Sequence, residues 1–328
     1  MRNRKWLCII ASVLCMLVPA KILAESNWLF NAPGSPQCNS AAICEDKLYV
    51  MTNKGLYACS IDGTSAVCAV SDTELAAQGI SVDSLVCSGQ ALMVFDGINN
   101  QIWTYENQVF RKKTVLNDTD FNAQNRYAYY RNPVWIGDQL YVLALSDGGE
   151  VLDILRVDVE NGSVSATEAR GTFQLLDYNN GNLIAVRSAS SGDHPTNELV
   201  ILDKQTLTVQ EQIAEIDDAY YSYVASSRTD NLLYTNIDGM LSYLKDGQWQ
   251  KLRPMPSLAN SFGLFFAVEA DFAIIAKNSG INIFPIKAEE NRKTLSIKGL
   301  SMGVNNDDGF TAAHPGITIL RDTVPNFS

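Results

Sequence analysis

The stretch LYVLALSDGGEVLDILRVDVENGSV, residues 140–164, contains β-rich runs separated by polar turns. Its turns hold Asp147-Gly148 and Asn161-Gly162, dipeptides that favour tight hairpins. Its runs consist mainly of Val, Ile, Leu and Tyr, which suit a pleated, half-buried surface. The stretch therefore predicts antiparallel strands joined by short hairpins.

Five further stretches follow the same pattern, and each of the six is preceded by another short apolar run. The five are LYVMTNKGLYACSIDG (48–63), LMVFDGINNQIWTYENQVF (92–110), LIAVRSASSGDHPTNELVILDKQTLTV (183–209), LLYTNIDGMLSYLKDGQWQKL (232–252) and FAIIAKNSGINIFPIK (272–287). The preceding runs recur every 40 to 50 residues or so, a period typical of four-stranded propeller blades. The sequence therefore predicts an all-β fold, a β-propeller of six four-stranded blades over residues 25–293. A β-sandwich would need about half this length and would not explain six similar units.

The strand that closes the ring is left open by the sequence. Asn27 to Phe30 (NWLF) could supply the outer strand of the last blade, and so could Thr294 to Lys298 (TLSIK).

Residues 1–24 have the features of a secretory signal peptide. Arg2, Arg4 and Lys5 precede a short apolar run, and Ile22-Leu23-Ala24 is a suitable cleavage site. The run has about 13 residues, fewer than the roughly 20 needed to span a bilayer. We therefore expect a secreted or extracytoplasmic protein of the bacterial cell envelope, associated with a membrane only through a partner or an uncleaved signal.

The chain is acidic, with a formal net charge of −11. Four of its 25 basic residues and none of its 36 acidic ones lie in the first 24 residues, so the remainder has a net charge of about −15. Such a surface repels nucleic acid, and no basic patch with interleaved aromatic residues is present. We expect no nucleic-acid partner.

Five cysteines follow the signal segment, and export makes disulfides possible. Cys59 and Cys68 flank the turn at residues 62–65 and could pair across a hairpin. Cys44 and Cys87 occupy matching places in the first two repeats. Both pairs are disulfide candidates, and the odd count leaves at least one cysteine outside them.

Motifs of catalysis and metal binding are scarce. The sequence contains no G-x-S-x-G, H-E-x-x-H or G-x-x-x-x-G-K motif, no C-x-x-C pair, and only two histidines, His194 and His314. Asp118, Asp120 and Asn122 have the spacing of a calcium loop, but the glycine and glutamate that such a loop needs are missing. We therefore expect a non-enzymatic protein without a metal or cofactor.

Two tyrosine-rich segments are the best candidates for ligand binding. They precede the inner strands of the third and fifth blades, and connections of this kind lie on one face of a propeller, near the mouth of its channel. Exposed tyrosines next to Arg or Asp suit sugar-like ligands or protein contacts, although the same tyrosines could pack between blades. The candidates are Tyr127, Tyr129, Tyr130, Arg131, Asp217, Tyr220 and Tyr221.

Residues 294–328 differ in character from the repeats. A predicted strand, TLSIKGLS (294–301), is followed by an acidic stretch, by AAHPG (312–316) and by a second predicted strand, ITIL (317–320). The order predicts the beginning of a βαβ unit.

This tail resembles the opening of the extracellular solute-binding proteins of ABC transporters. The matching residues are Thr294, Leu295, Ile297, Phe310, His314, Pro315, Gly316, Ile317 and Ile319. The resemblance implies a helix that contains Phe310 and ends at Pro-Gly, a truncated solute-binding-like domain over residues 294–328, and an ABC permease as partner. The chain stops long before a two-lobed ligand cleft could form.

These features together predict an exported propeller that acts as a ligand-binding or scaffold module, for a carbohydrate or another small solute. A cell-surface module for protein interaction or adhesion is the alternative, and a hydrolase or lyase acting on polysaccharide is a third.

Overall fold

The structure is a computed structural model. It describes residues 26–29, 35–89, 91–97, 99–116, 127–169, 171–178, 181–189, 196–216, 223–227, 229–237, 239–254, 265–269, 271–277, 280–286, 302–305, 309–314 and 317–321. Only the backbone is described for residues 26–28, 129, 189, 277, 302–305, 309–314 and 317–321. The segments 1–24 and 287–301, which contain the predicted signal and the predicted domain boundary, lie outside the described residues.

Six antiparallel sheets form the four-stranded blades of a β-propeller, and the sheet of the sixth blade continues outward with three more strands. The predicted fold class is confirmed. Blade 1 contains β2 (Cys38–Cys44), β3 (Lys47–Thr52), β4 (Gly55–Ser60) and β5 (Ala66–Ser71). Blade 2 contains β6 (Ser84–Cys87), β7 (Leu92–Asp96), β8 (Gln101–Glu106) and β9 (Val109–Val115). Blade 3 contains β10 (Tyr129–Ile136), β11 (Gln139–Leu145), β12 (Val151–Asp158) and β13 (Val164–Glu168).

The second half of the chain forms the other three blades. Blade 4 contains β14 (Thr172–Tyr178), β15 (Asn182–Ala189), β16 (Thr196–Leu202) and β17 (Val209–Ile216). Blade 5 contains β18 (Val224–Ser226), β19 (Leu233–Ile237), β20 (Met240–Lys245) and β21 (Gln248–Pro254). Blade 6 contains β22 (Phe265–Glu269), β23 (Phe272–Lys277), β24 (Gly280–Pro285) and the N-terminal strand β1 (Ser26–Leu29).

The strands of a blade differ in burial from the centre of the ring outward. In the second strand of blade 3, β11, every residue from Leu140 to Leu145 is buried. In the outer strand of blade 4, β17, the first four residues are all exposed. A middle strand reads as an unbroken apolar run because a neighbouring blade covers each of its faces, whereas an outer strand reaches solvent.

The hydrophobic core consists of six clusters, one between each pair of neighbouring blades. Leu143 packs with Leu183 of blade 4, whereas Leu155 packs with Phe95 of blade 2. Each blade is therefore apolar on both faces, and no blade can bury itself without two neighbours.

The N-terminal strand closes the ring. β1 pairs antiparallel with β24, with Asn27 opposite Ile283, and Leu29 is completely buried in the cluster between blades 6 and 1. The inner strand of blade 6 also contacts that of blade 1. Of the two possible closing strands, the structure selects the N-terminal one, while Thr294 to Lys298 lie outside the described residues.

Two local signals determine how consecutive elements are joined. Asp246 and Gly247 have φ angles of 51° and 74° and form the two-residue turn between β20 and β21, as a type I′ hairpin requires. The short helix α1 (Asp72–Ala77) begins with a capping box between Ser71 and Glu74. The S-x-x-E signal of this helix is present in the sequence, but the helix was not predicted.

The tail forms strands where the resemblance implied a helix. It contains β25 (Met302–Asn305), β26 (Gly309–His314) and β27 (Ile317–Arg321), and β27 pairs with β1. Phe310 is paired with Arg321 and His314 with Ile317, so these residues belong to an antiparallel ladder. The predicted helix and the βαβ order are therefore wrong, because the segment extends the sheet of blade 6 outward.

The first cysteine pair forms a disulfide and the second does not. Cys44 is bonded to Cys87 and joins the inner strands of blades 1 and 2. The register set by the turn between β4 and β5 places Cys59 opposite Ala66 and Cys68 opposite Tyr57. Cys59 and Cys68 are thus offset along the hairpin and both are free, the first buried and the second exposed.

The third free cysteine, Cys38, is buried with Cys59 in the cluster between blades 6 and 1. Burial raises the pKa of both thiols to about 12, so neither forms an appreciable amount of reactive thiolate at neutral pH.

A glutamine side chain joins the inner strands of blades 4 and 5. Gln174, which is 3% exposed, donates from Nε2 to the Val224 carbonyl at 2.7 Å and accepts from the Val224 N–H at 2.8 Å. Val224 is completely buried, so its backbone groups have no access to water.

Removing the disulfide is expected to destabilise the ring. Replacing Cys44 and Cys87 by serine should lower the free energy of unfolding by about 4 kcal/mol, since the bridge closes a loop between residues 43 positions apart. Urea denaturation measures the effect, and Cys68→Ser is the matched control at an exposed thiol. Equal stability of the double variant and the control would contradict this role.

Gln174→Ala should lower the free energy of unfolding by about 2 to 4 kcal/mol, because it leaves the buried N–H and C=O of Val224 without partners. Gln250→Ala, at an exposed position of an outer strand, is the matched control and should change the stability by less than about 0.5 kcal/mol. If Gln174→Ala lowers the free energy of unfolding by less than about 1 kcal/mol in the same denaturation experiment, the two hydrogen bonds to Val224 do not stabilise the ring.

Candidate functional site

The topology defines two faces of the ring. Each blade begins with its inner strand, so all six inner strands run in the same direction and begin on the same face. We call this the entry face. It carries the connections between blades and the hairpins between the second and third strands, and the described part of the first tyrosine-rich segment lies on it.

The inner strands expose very few side chains. Among their described residues only Asn39 and Arg131 are exposed, and both lie near the entry face, on blades 1 and 3. An inner strand pairs with a neighbour on one edge only, so its other edge borders the central channel. We call Asn39 and Arg131 the mouth residues.

Irregular backbone accompanies each mouth residue. The register of β2 shifts between Cys38 and Ser40, next to Asn39, and that of β10 shifts between Arg131 and Val134. A β-bulge of this kind bends a strand and re-aims its side chains. A third shift, in β14 between Thr172 and Gln174, surrounds the half-buried Phe173.

Tyr127 and Tyr130 pack together between blades 2 and 3, on the entry face. Their ring centroids are 6.4 Å apart, and Tyr130 also lies edge-on to Phe95 at 5.0 Å. Tyr130 is 9% exposed, whereas Tyr127 is half-buried and donates its hydroxyl to Asp153 Oδ2 at 2.6 Å. Tyr130 is therefore a packing residue, and Tyr127 is the member of the pair with accessible surface.

The blade 2 side of this cluster is built around Gly97. Its N–H donates to Asp83 Oδ2 at 2.6 Å, and a Cβ on Gly97 would lie 2.3 Å from the ring of Tyr130. Burial, with smaller effects of Asp83 and Tyr127, raises the pKa of Tyr130 above its ordinary value. The Tyr130 hydroxyl thus stays protonated at neutral pH and cannot serve there as a base.

The structure describes only part of the predicted binding set. Arg131 is exposed and follows Tyr130 in β10, while the side chain of Tyr129 is not described. Asp217, Tyr220 and Tyr221 lie outside the described residues, between β17 and β18. The mouth residue Asn39 and the supporting Asp83 and Gly97 were not predicted, although Asn132-Pro133 beside Arg131 is a sequence signal for an interrupted strand.

In the described part of the chain, no group of three or more His, Cys, Asp or Glu side chains could hold a metal ion. No helix among the same residues has the length and apolar character needed to cross a membrane. The predicted calcium-like spacing at Asp118 and the loop of His194 lie outside these residues.

No protein-family model matches the sequence, and no curated protein matches it. Solved structures do match in fold. One is described as a "putative gluconolactonase": it has a TM-score of 0.54 and 12% identity, and the match covers 83% of this chain and 94% of that one.

Two bacterial surface structures also match. One is the extracellular domain of a "putative one component system" from B. thetaiotaomicron, with a TM-score of 0.46, 12% identity and 80% coverage of this chain. The other is PorZ, a surface component of the type-IX secretion system of Porphyromonas gingivalis, with a TM-score of 0.46, 14% identity and 88% coverage. This chain spans only 40% and 42% of their lengths.

The resemblance to solute-binding proteins of ABC transporters is therefore wrong. Of the residues that carry it, Phe310, His314, Ile317 and Ile319 lie in an antiparallel β-ladder, and the solved structure that matches 83% of the chain has the same overall fold as this propeller. The expectation of an ABC permease as partner rested on this resemblance and is no longer supported. At 12% identity the match to the "putative gluconolactonase" shows the fold alone, and the chain is a six-bladed β-propeller.

Gly97→Ala should disrupt the tyrosine cluster, because the new methyl group would overlap the Tyr130 ring. We expect a loss of about 1 to 3 kcal/mol in the free energy of unfolding. Gly148→Ala is the matched control, since a Cβ there would meet only Ser146 Oγ at 3.7 Å. Equal stability of the two variants, measured by thermal or urea denaturation, would contradict the tight packing of Tyr130 on Gly97.

Proposed function

We propose that this protein is an exported, non-catalytic β-propeller that binds a carbohydrate or another small solute at the channel mouth on its entry face. The observation that carries the proposal is the exposure of Asn39 and Arg131, alone among the described residues of the inner strands. The other described residues of these strands are buried or half-buried. A side chain exposed there contributes little to packing and is available to a ligand.

The chemistry of the mouth suits a polar ligand with one apolar face. Arg131 offers a planar set of N–H donors, and Asn39 offers both a donor and an acceptor. Tyr127 lies two positions before β10 and presents part of an aromatic ring, a surface on which sugars stack. The proposed binding set also includes Tyr129, the first residue of β10, and three residues of the connection that precedes β18: Asp217, Tyr220 and Tyr221.

The covalent structure supports the exported location. A disulfide such as that between Cys44 and Cys87 persists in an oxidising compartment and is rare in the cytosol. This agrees with the signal-like residues 1–24. The negative net charge favours solubility and disfavours anionic polymers as ligands.

A thermal-shift screen of the protein from residue 25 onward tests the proposal. The panel contains glucose, galactose, N-acetylglucosamine, glucuronate and their short oligomers. At least one should raise the melting temperature by about 5 °C at a hundredfold excess over its Kd. Binding of that ligand should be weaker in Arg131→Ala and in Asn39→Ala. It should be unchanged in Lys47→Ala, whose position is exposed on the opposite face.

Two results would count against the proposal. A panel that leaves the melting temperature unchanged would remove the solute-binding role. Turnover of any panel glycan, abolished by changing Asp217 or Tyr220, would show that the protein is an enzyme.

A further inference from the structure

We infer that the ligand of the channel mouth carries a carboxylate and that Arg131 binds it. This inference rests on the proposed function and names the chemical class of its ligand. The shared chemistry is the carboxylate, whether it belongs to a sugar acid or to the C-terminus of an acylated amino acid or peptide.

The charge of Arg131 is available to a ligand. Its side chain is exposed and makes no ion pair or hydrogen bond to another described residue. The partly buried arginine of blade 4, Arg187, is by contrast already paired with Glu198 at 2.5 Å, with both side chains largely covered. Of these two arginines, only Arg131 can accept an external anion.

The geometry of a guanidinium group selects the kind of anion. Its parallel N–H groups match the two oxygens of a carboxylate, and the paired hydrogen bonds add specificity to the charge attraction. The rest of the chain has a strong excess of negative charge and repels anions. A small carboxylate held at one cation fits this field better than a polyanion, which would also meet the surrounding acidic surface.

The backbone of β10 holds Arg131 in place. Asn132 has a φ of 50°, which is uncommon for a residue other than glycine, and Pro133 follows it. Neither residue is paired with β11, because the register is interrupted between Arg131 and Val134. The inner strands β6, β18 and β22 have regular registers and no exposed side chain among their described residues. The interruption of β10 therefore accompanies the presentation of a cation at the mouth.

Neither carboxylate of the tyrosine cluster forms an ion pair with Arg131. Tyr130, the residue before Arg131, lies on the opposite face of the strand by the alternation of side chains. Asp83 accepts from the Gly97 N–H, and Asp153 accepts from the Tyr127 hydroxyl. These hydrogen bonds tie both acids to the interface between blades 2 and 3, so an external carboxylate has neither of them to displace from Arg131.

Matched pairs of ligands that differ only in the carboxylate provide the test. The pairs are D-glucuronate with D-glucose, and N-acetyl-L-alanine with N-acetyl-L-alaninamide. Isothermal titration calorimetry on the protein from residue 25 onward should show that the acid of at least one pair binds about tenfold more tightly than its neutral partner. The pair that responds identifies the source of the carboxylate.

The variants assign the effect to Arg131. Arg131→Gln should bring the acid-to-neutral affinity ratio close to one, and Arg131→Lys should restore part of it. Arg111→Gln, at an exposed arginine of the outer strand β9, is the matched control and should keep the full ratio. Melting curves of all three variants should match that of the unmodified protein, because each change is at an exposed side chain.

Three outcomes would overturn the inference. Equal affinity for the acid and neutral members, or an acid preference that survives in Arg131→Gln, would exclude carboxylate recognition by Arg131 and leave the proposed function intact. Binding of a neutral panel sugar with no binding of either acid would do the same. If no member of either pair and no sugar of the wider panel binds, the proposed function itself is wrong.

Discussion

The closure of the ring is the constraint on which the rest of the structure depends. Every blade has two apolar faces, and each face can be buried only by a neighbouring blade. An open row of blades would leave one face bare at each end. The pairing of β1 with β24 removes both bare faces at once, because it completes blade 6 and brings Leu29 into the cluster with blade 1. The last blade therefore needs the beginning of the chain, and the native core forms only when both ends have met.

The same constraint explains where a binding site can exist. The described residues of the inner strands are used almost entirely for packing, so most of their side chains are unavailable to ligands. The exceptions occur near the entry face, where β2 and β10 depart from regular pairing and expose Asn39 and Arg131. A rigid ring thus presents a few fixed groups at the channel mouth. Such pre-organisation lowers the entropy lost when a ligand binds.

Specific polar contacts add to the apolar clusters between blades. Gln174 joins the inner strands of blades 4 and 5 with two hydrogen bonds, and Cys44–Cys87 joins those of blades 1 and 2 covalently. On the entry face, blades 2 and 3 are held together by the contacts of four residues: Tyr127, Tyr130, Asp83 and Gly97. Two of the tyrosines proposed for ligand binding therefore also have a structural task, and only Tyr127 retains surface for a second one.

The division between sequence and tertiary structure follows the range of the interactions involved. Hairpin turns and apolar strands are encoded within a few residues, so the repeats were enough to predict six four-stranded blades. The equivalent positions of Cys44 and Cys87 in two repeats likewise indicated their pairing. The hairpin pair Cys59 and Cys68 was predicted and is not formed, because the register next to the turn places them opposite Ala66 and Tyr57 and not opposite each other. The tail motif was misread because a similarity of nine residues does not indicate which sheet edge β27 joins.

Long-range contacts decided the rest. The choice of β1 as the closing strand depends on which end of the chain reaches β24, and no local pattern records that distance. Tyr130 is buried and Arg131, next to it in sequence, is exposed. This difference depends on which face of β10 meets blade 2 and on the interrupted register of β10. Composition and repeats thus determine that the chain is a propeller. Only the closed ring determines which few side chains remain exposed at its mouth, because exposure is what is left after six blades have buried one another.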